Sequence, residues 1–276
     1  MLYICATPIG NLGDITLRAL ETLKTCDCIA CETISHTNAM LNHYGINKRL
    51  ISYREDNRES QSKFILDILE QGQNVVLVSD AGTPGVSDPG FRLVDEAINK
   101  GFAVSVIPGA SSVISALVLS GFPSDCFVFL GFLPRKTLKR EAVYEEISLS
   151  LRTVIFFEAP HRILKTLEEI KPHIKNRKIA LCREITKKFE EVIRGDIYEL
   201  ISLLESRKIQ GEFTVVVEPG CSNIEQDFVI DDEMIESKLK MKISPRQIVD
   251  ELSPLVKNKK ELYARVIGLK DKLREI

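Results

Sequence analysis

Short apolar runs alternate with polar stretches that carry apolar residues at helical spacing. Over the first part of the chain the runs Leu2–Ala6, Cys28–Glu32, Val75–Ser79 and Ala103–Ile107 predict buried strands. Between and after them, Ile15–Thr25, Thr37–Tyr44, Glu59–Gln71, Phe91–Lys100 and Ser111–Leu119 predict helices. Strands interleaved with helices predict a mainly parallel sheet. Ser120-Gly-Phe-Pro-Ser-Asp125 then breaks the pattern. A second set follows, with strands at Phe127–Gly131, Val154–Glu158, Lys178–Arg183, Val192–Gly195 and Phe213–Glu218, and helices at Arg140–Ser150, Arg162–Lys171 and Ile197–Ser206. From about Asp231 the chain reads as helical, with Ser244-Pro-Arg-Gln and Asn258-Lys-Lys-Glu as helix starts. The expected architecture is α/β: one α/β domain over 1–120, a second over 125–222, and a small helical segment over 231–276.

The connections after the first-domain strands carry the chemistry. Ser79-Asp-Ala-Gly-Thr-Pro-Gly-Val-Ser-Asp-Pro-Gly90 leaves the carboxyl end of a buried strand and runs into a helix. Gly and Pro would serve any tight turn, but the length and the two aspartates exceed what a turn needs. Thr7-Pro-Ile-Gly-Asn-Leu-Gly-Asp-Ile-Thr16 and Pro108-Gly-Ala-Ser-Ser112 occupy equivalent places. Parallel strands share a carboxyl edge, so all three loops are expected on one side of the sheet, where open α/β folds bind ligands. None reads G-x-G-x-x-G, so the dinucleotide fingerprint is absent.

The 276 residues carry a formal net charge of −2, so any nucleic-acid surface must be local. No apolar run approaches the length of a membrane span, and the N-terminus reads as a strand rather than a leader, so a cytoplasmic protein is expected. Of seven cysteines, Cys5, Cys28, Cys31, Cys126 and Cys182 lie in or beside apolar strands and are expected to be buried, reduced thiols. Cys26-Asp-Cys-Ile-Ala-Cys31 lacks the paired spacing of a zinc site, so no metal is expected.

The three loops together resemble those of the class III, or tetrapyrrole-methylase-like, S-adenosylmethionine-dependent methyltransferases. Gly131-Phe-Leu-Pro-Arg-Lys136 with Arg140, Phe156-Phe-Glu-Ala-Pro-His-Arg162, Arg183-Glu-Ile-Thr-Lys-Lys-Phe-Glu190 and Gly211-Glu212 are similar to the branch that methylates small-subunit ribosomal RNA. The resemblance covers about residues 2–220. It implies methyl transfer from S-adenosylmethionine to the ribose 2′-oxygen of a cytidine in the decoding region of 16S rRNA, with the small ribosomal subunit as partner and a homodimer as the assembly. Where that branch reads Glu-Asp-Thr-Arg after its second strand, this chain reads Glu32-Thr-Ile-Ser35. Two other readings follow from the same residues: a small-molecule methylase acting on a tetrapyrrole, and a ribosome-binding paralogue impaired in catalysis.

The resemblance further implies a cofactor cleft between the two α/β domains. The loop residues Ala81, Gly82, Thr83, Val86, Ser111 and Ser112 would hold the cofactor, Pro8 or Ile9 would cover it, and Glu158 with Phe213 or Thr214 would close the far side. Methylation of a hydroxyl needs a proton acceptor. Lys187 is the first candidate, provided burial or neighbouring cations depress its pKa, and Glu184 is the second; the alternative is that the two pair with each other or hold phosphate. Arg135, Lys136, Lys139 and Arg140 form a basic cluster, and Arg162, Arg183 and Lys188 lie in the same domain. Together they could form a phosphate-binding wall, or the first cluster could be an ordinary solvated helix face. Residues 238–276 hold eleven Lys or Arg against five Asp or Glu, which suits either an RNA-docking tail or a soluble cap.

Overall fold

A computed structural model of the chain describes residues 1–174, 176–220, 231–241, 243–253 and 259–273. The chain divides into two compact units, Met1–Gly220 and Cys221–Ile276.

The larger unit holds two five-stranded sheets. In the first, β1 (Leu2–Cys5), β2 (Cys28–Cys31), β3 (Arg49–Ser52), β4 (Val75–Val78) and β5 (Val104–Ile107) run parallel in the order β3-β2-β4-β1-β5. Both faces are covered, which is why Val75-Val-Leu-Val78 has no polar interruption. Helices α3 (Arg58–Glu70) and α4 (Phe91–Asn99) pack Ile65, Leu69, Leu93 and Ala97 on one face, against Leu2, Ala30 and Leu77. Helices α1 (Leu17–Thr25) and α2 (Ile34–His43) pack Ala19, Leu23, Met40 and Leu41 on the other, against Ile29, Cys31, Val76 and Val78. The registers Leu2↔Val75, Cys28↔Val75 and Leu2↔Val104 align the carboxyl ends of these strands, so the glycine-bearing loops leave from one edge.

Helix α5 (Ser112–Ser120) joins the halves. The Ser111 hydroxyl accepts the Ile114 N–H at its start, and Gly121 ends it in the left-handed conformation, where glycine has no Cβ to clash. Although α5 follows the first sheet, Val113, Ala116 and Leu117 pack on the second sheet against Ile155, Ala180, Cys182 and Val216. Arg194 donates to the Leu119 and Ser120 carbonyls at its C-terminus, neutralising carbonyls that no helix bond satisfies.

In the second sheet β6 (Phe127–Phe132), β7 (Thr153–Glu158), β8 (Ile179–Arg183), β9 (Glu191–Gly195) and β10 (Phe213–Val217) take the order β6-β7-β10-β8-β9. Only β6 and β7 are parallel; the other three pairings are antiparallel. Helices α6 (Thr137–Leu149), α7 (Ile163–Ile174) and α8 (Ile197–Glu205) bury Tyr144, Ile147, Ile163, Leu167 and Leu200 on the face opposite α5. In the smaller unit α9 (Asp232–Lys240), α10 (Pro245–Leu252) and α11 (Lys259–Lys272) share a core of Ile235, Ile248, Val249, Leu252, Leu262, Val266 and Leu269. Ser244 and Gln247 form the expected reciprocal cap at the start of α10. Asn258, expected to start the next helix, lies outside the described residues.

Three expectations are corrected. Strand β3 was not anticipated; it is an edge strand whose four residues include the exposed Arg49 and show no apolar run. Helix α2 begins at Ile34 rather than Thr37. Cys126 is exposed, because it precedes β6 in the open connection after α5, whereas Cys5, Cys28, Cys31 and Cys182 are buried.

Candidate active site

The three loops close on a cavity of about 430 Å³. A bridge between Thr7 and Gly82, with backbone hydrogen bonds of 2.9 and 3.0 Å in the two directions, ties the first loop to the one after β4. The Thr7 hydroxyl also donates to the Ser79 carbonyl. Gly82 has φ +79°, a backbone conformation that side chains rarely adopt, so the loop needs glycine there. Ile9, Asp80, Ala81, Val86, Ser87 and Asp88 form one wall, and Ser111, Ser112 and Val113 at the start of α5 extend it. The second half supplies Phe132, Phe157, Glu158, Ala159, Pro160, Cys182, Ile185, Glu212, Phe213 and Thr214.

The charged groups around this cavity divide sharply. Glu158 is fully buried, and its two oxygens already serve Arg162 Nε at 3.1 Å, its neighbour Ala159 N–H at 2.9 Å and the Thr166 hydroxyl at 2.7 Å. Glu212 bonds Lys187 Nζ at 2.8 Å, and Lys187 also reaches Glu184 at 3.0 Å. Asp80 accepts the Thr33 N–H at 3.0 Å, holding the start of α2. Asp88 differs. Burial pushes its carboxyl up to about 6, and the charges of Glu32 and Asp80 add to this against a hydrogen bond from Ser79. Glu32 is raised in turn by burial and by Asp80, with Arg54 opposing. The Cys182 thiol is pushed up to about 12 by burial, so it contributes apolar surface and no nucleophile.

Comparison with known proteins gives these features a family. Residues 1–201 match the model for Tetrapyrrole (Corrin/Porphyrin) Methylases. The chain is 44% identical over 228 residues to a Ribosomal RNA small subunit methyltransferase I of Halalkalibacterium halodurans, covering 83% of this chain and 79% of that one. The protein of the same name from Mesorhizobium japonicum is 41% identical over 273 residues, covering 98% and 92%. The chain belongs to the tetrapyrrole methylase family. Within it, the relatives at this level of identity place it in the ribosomal RNA small subunit methyltransferase I group. Among solved structures, a diphthine synthase shares the fold at TM-score 0.61 and 18% identity, over 79% of this chain and 89% of that one.

The cavity suits the methyl donor of such a family. Small residues and loop backbone at Ala81, Ser111 and Ser112 would admit a nucleoside, Ile9, Val113, Phe157 and Ile185 give an apolar wall, and Asp80 and Asp88 add acidic groups that suit a cationic donor. Ile9, Ala81, Val86, Ser111, Ser112, Glu158 and Thr214, all expected from the sequence, line it. Pro8, Gly82 and Thr83 stand behind the lining and shape the loops. The carboxylate of Glu158 is committed to Arg162, Ala159 and Thr166, so it forms wall rather than a free acceptor.

The proton-acceptor candidates behave otherwise than expected. Burial works to lower the pKa of Lys187, but Glu212 and Glu184 outweigh it and raise it, the reverse of what a lysine base needs. Glu184 is pushed up by burial, yet the Glu212 N–H and Lys187 outweigh this and hold it below the usual carboxylate range. The two pair with each other, and neither lines the cavity.

The expected phosphate wall is also thinner. Arg140 is 6% exposed and bonds the Tyr144 hydroxyl at 2.6 Å, Thr166 at 3.1 Å and Glu169 at 2.6 Å, so it is an internal brace. Arg162 is held by Glu158 and the Leu133 and Pro134 carbonyls, and Arg183 by Glu191 and the Gln210 carbonyl. Arg135, Lys136 and Lys188 are exposed. The sequence reading left Phe132, Phe157, Cys182 and Ile185 out of the site. Phe132, Phe157 and Cys182 sit in the continuous apolar runs of β6, β7 and β8 and Ile185 just after β8; a continuous apolar run does not tell which residue meets a cavity.

Proposed function

We propose that the chain catalyses S-adenosylmethionine-dependent 2′-O-methylation of a cytidine ribose in the decoding region of 16S rRNA. Its substrate is the small ribosomal subunit, it acts in the cytoplasm, and it works as a homodimer. The observation that carries this reading is a nucleoside-sized cavity walled by the three glycine-bearing loops, in a chain whose relatives at 41–44% identity are named Ribosomal RNA small subunit methyltransferase I. No helix among the described residues is long and apolar enough to cross a membrane.

Ile9, Ala81, Val86, Ser111, Ser112 and Thr214 hold the donor. When bound, S-adenosylmethionine supplies an electrophilic methyl group and a neutral thioether leaving group. The protein's share is to align the acceptor oxygen, exclude water with Phe132 and Phe157, and take a proton. Arg135, Lys136 and Lys188 face outward and contact phosphate; Arg162 and Arg183 steady the walls.

The test is transfer of labelled methyl from S-adenosylmethionine to small subunits lacking the modification, with the labelled nucleotide mapped. Label on a cytidine ribose in the decoding region is the expected result. Label on a tetrapyrrole with rRNA inert would overturn it. No transfer, restored by returning Asp-Thr-Arg at Thr33, Ile34 and Ser35, would identify an impaired paralogue.

A further inference from the structure

We propose that Phe132 receives the base of the acceptor nucleotide at the mouth of the donor cavity, stacking on it and so presenting its ribose to the donor. The inference rests on the methyl-transfer reading above and assigns it a substrate-binding residue.

A regular strand would not aim Phe132 there. Side chains alternate along a strand, so Phe129 and Phe132, three residues apart, should face opposite sides of the sheet. Between the pairs Phe129↔Ile155 and Phe132↔Phe157, however, β6 advances three residues while β7 advances two. The extra residue makes a bulge, and bulges re-aim side chains. It turns Phe132 onto the face of Phe129, so that both rings pack on Phe157, with centroids 5.3 and 4.9 Å away. That face carries α5 and the donor cavity. Gly131, beside Phe132, lies against the loop after β4 from the first half, where a Cβ would sit 3.0 Å from Ser87 Oγ. The two halves thus meet next to this ring.

Phe132, Phe157 and Phe213 all line the cavity. Phe213 is buried and Phe157 half-buried, whereas Phe132 is 59% exposed. It therefore stands at the rim, with surface left for a second ligand. An RNA base fits that surface, because bases splayed from single-stranded RNA are taken up on aromatic side chains. The chain leaving Phe132 carries the exposed Arg135 and Lys136, cations of the kind that hold flanking phosphates. Its support is fixed: Arg162 donates to the Leu133 and Pro134 carbonyls and is itself held by the buried Glu158. A ring fixed before binding loses little freedom on contact and holds the ribose in the orientation that transfer needs.

The decisive comparison sets Phe132→Ala, Phe132→Leu and Phe132→Tyr against the wild type. Two quantities are measured: kcat/KM for methyl transfer to small subunits lacking the modification, and affinity of the free protein for S-adenosylmethionine by calorimetry. Ala removes the ring, Leu keeps apolar bulk without an aromatic face, and Tyr keeps both. Ala and Leu should each lower kcat/KM about 10- to 100-fold, the range for losing one base–aromatic stack, and Tyr should stay within about threefold of the wild type. Donor affinity should hold within about twofold in all three, which also reports that the cavity remains folded. A Leu variant as active as the wild type reduces Phe132 to apolar filling and overturns the proposal. A donor affinity that falls as far as kcat/KM assigns the ring to the donor and overturns it too. A wild type that transfers no methyl to small subunits overturns the function reading with it, whereas an active wild type with unmoved Ala and Leu variants overturns the Phe132 assignment alone.

Discussion

The two sheets of Met1–Gly220 wall one cavity with different means. The first sheet offers backbone, small side chains and the partly buried acids Asp80 and Asp88, on loops that leave aligned strand ends. The second offers aromatic and aliphatic surface, braced by a set of ion pairs: Arg162 to Glu158, Arg183 and Arg207 to Glu191, Lys187 to Glu184 and Glu212, Arg140 to Glu169. A carboxylate with many partners is fixed in charge, while one crowded by other acids titrates near neutrality. The paired charges of the second half therefore brace it, and the acid crowded by other acids, Asp88, lies on a loop of the first.

That contrast breaks most visibly at Arg140. If it braces the second half, Arg140→Met leaves the Tyr144 hydroxyl and Thr166 without its guanidinium and Glu169 with only the looser Lys165 pair at 3.7 Å, and should cost about 3 kcal/mol in urea unfolding. Arg135→Met, at an exposed site five residues earlier, should change stability by no more than about 0.5 kcal/mol. Equal effects would erase the division between brace and surface.

Glu158→Gln is the next largest. Gln can still accept from Thr166 but leaves Arg162 without its charge partner, at a cost of about 2 kcal/mol. Arg162 also fixes the Leu133 and Pro134 carbonyls, so affinity for the donor, measured by calorimetry, should weaken about tenfold, or 1.4 kcal/mol. Unchanged affinity would show that this wall does not depend on its ion pair.

Lys187 sharpens the comparison through pH. The folded-state pKa of Glu184 is lowered, so its contribution to stability is present above its unfolded pKa and is lost as pH falls through the folded one. Lys187→Met should remove about 1 kcal/mol at neutral pH, small because Glu212 is largely exposed, and should flatten the acid limb of the stability profile. A profile that steepens instead would mean that the pairing is not what holds Glu184 ionised.

The first half was the more legible in sequence for the same physical reason. A parallel sheet buried on both faces writes continuous apolar runs, and loops that must turn tightly at strand ends write Gly and Pro, so β1, β2, β4 and β5 and all three loops could be placed. Edge strand β3 writes neither signal. In the second half the strands could be found, but not the antiparallel directions of β8, β9 and β10, because direction depends on partners distant in the chain. Arg140 was misread because its burial depends on Tyr144 one helical turn on and on Thr166 and Glu169 from α7. The raised pKa of Asp88 was equally hidden: it arises first from burial and then from Glu32 and Asp80, which the chain separates and the β2–β4 pairing brings together.

The smallest effect concerns the charges left outside. Arg135, Lys136 and Lys188 are exposed, and a phosphate contact from each releases counterions when RNA binds. Substituting one by Ala should lower the slope of log affinity against log salt by about 1, with thermal stability and donor affinity unchanged. Arg183→Ala should do the opposite: its bonds to Glu191 and Gln210 make it a brace, so stability should fall and the salt slope should hold. If Arg183→Ala instead lowers the salt slope and leaves stability intact, the second half does present its paired arginines to RNA, and the line drawn here between paired and unpaired charge lies in the wrong place.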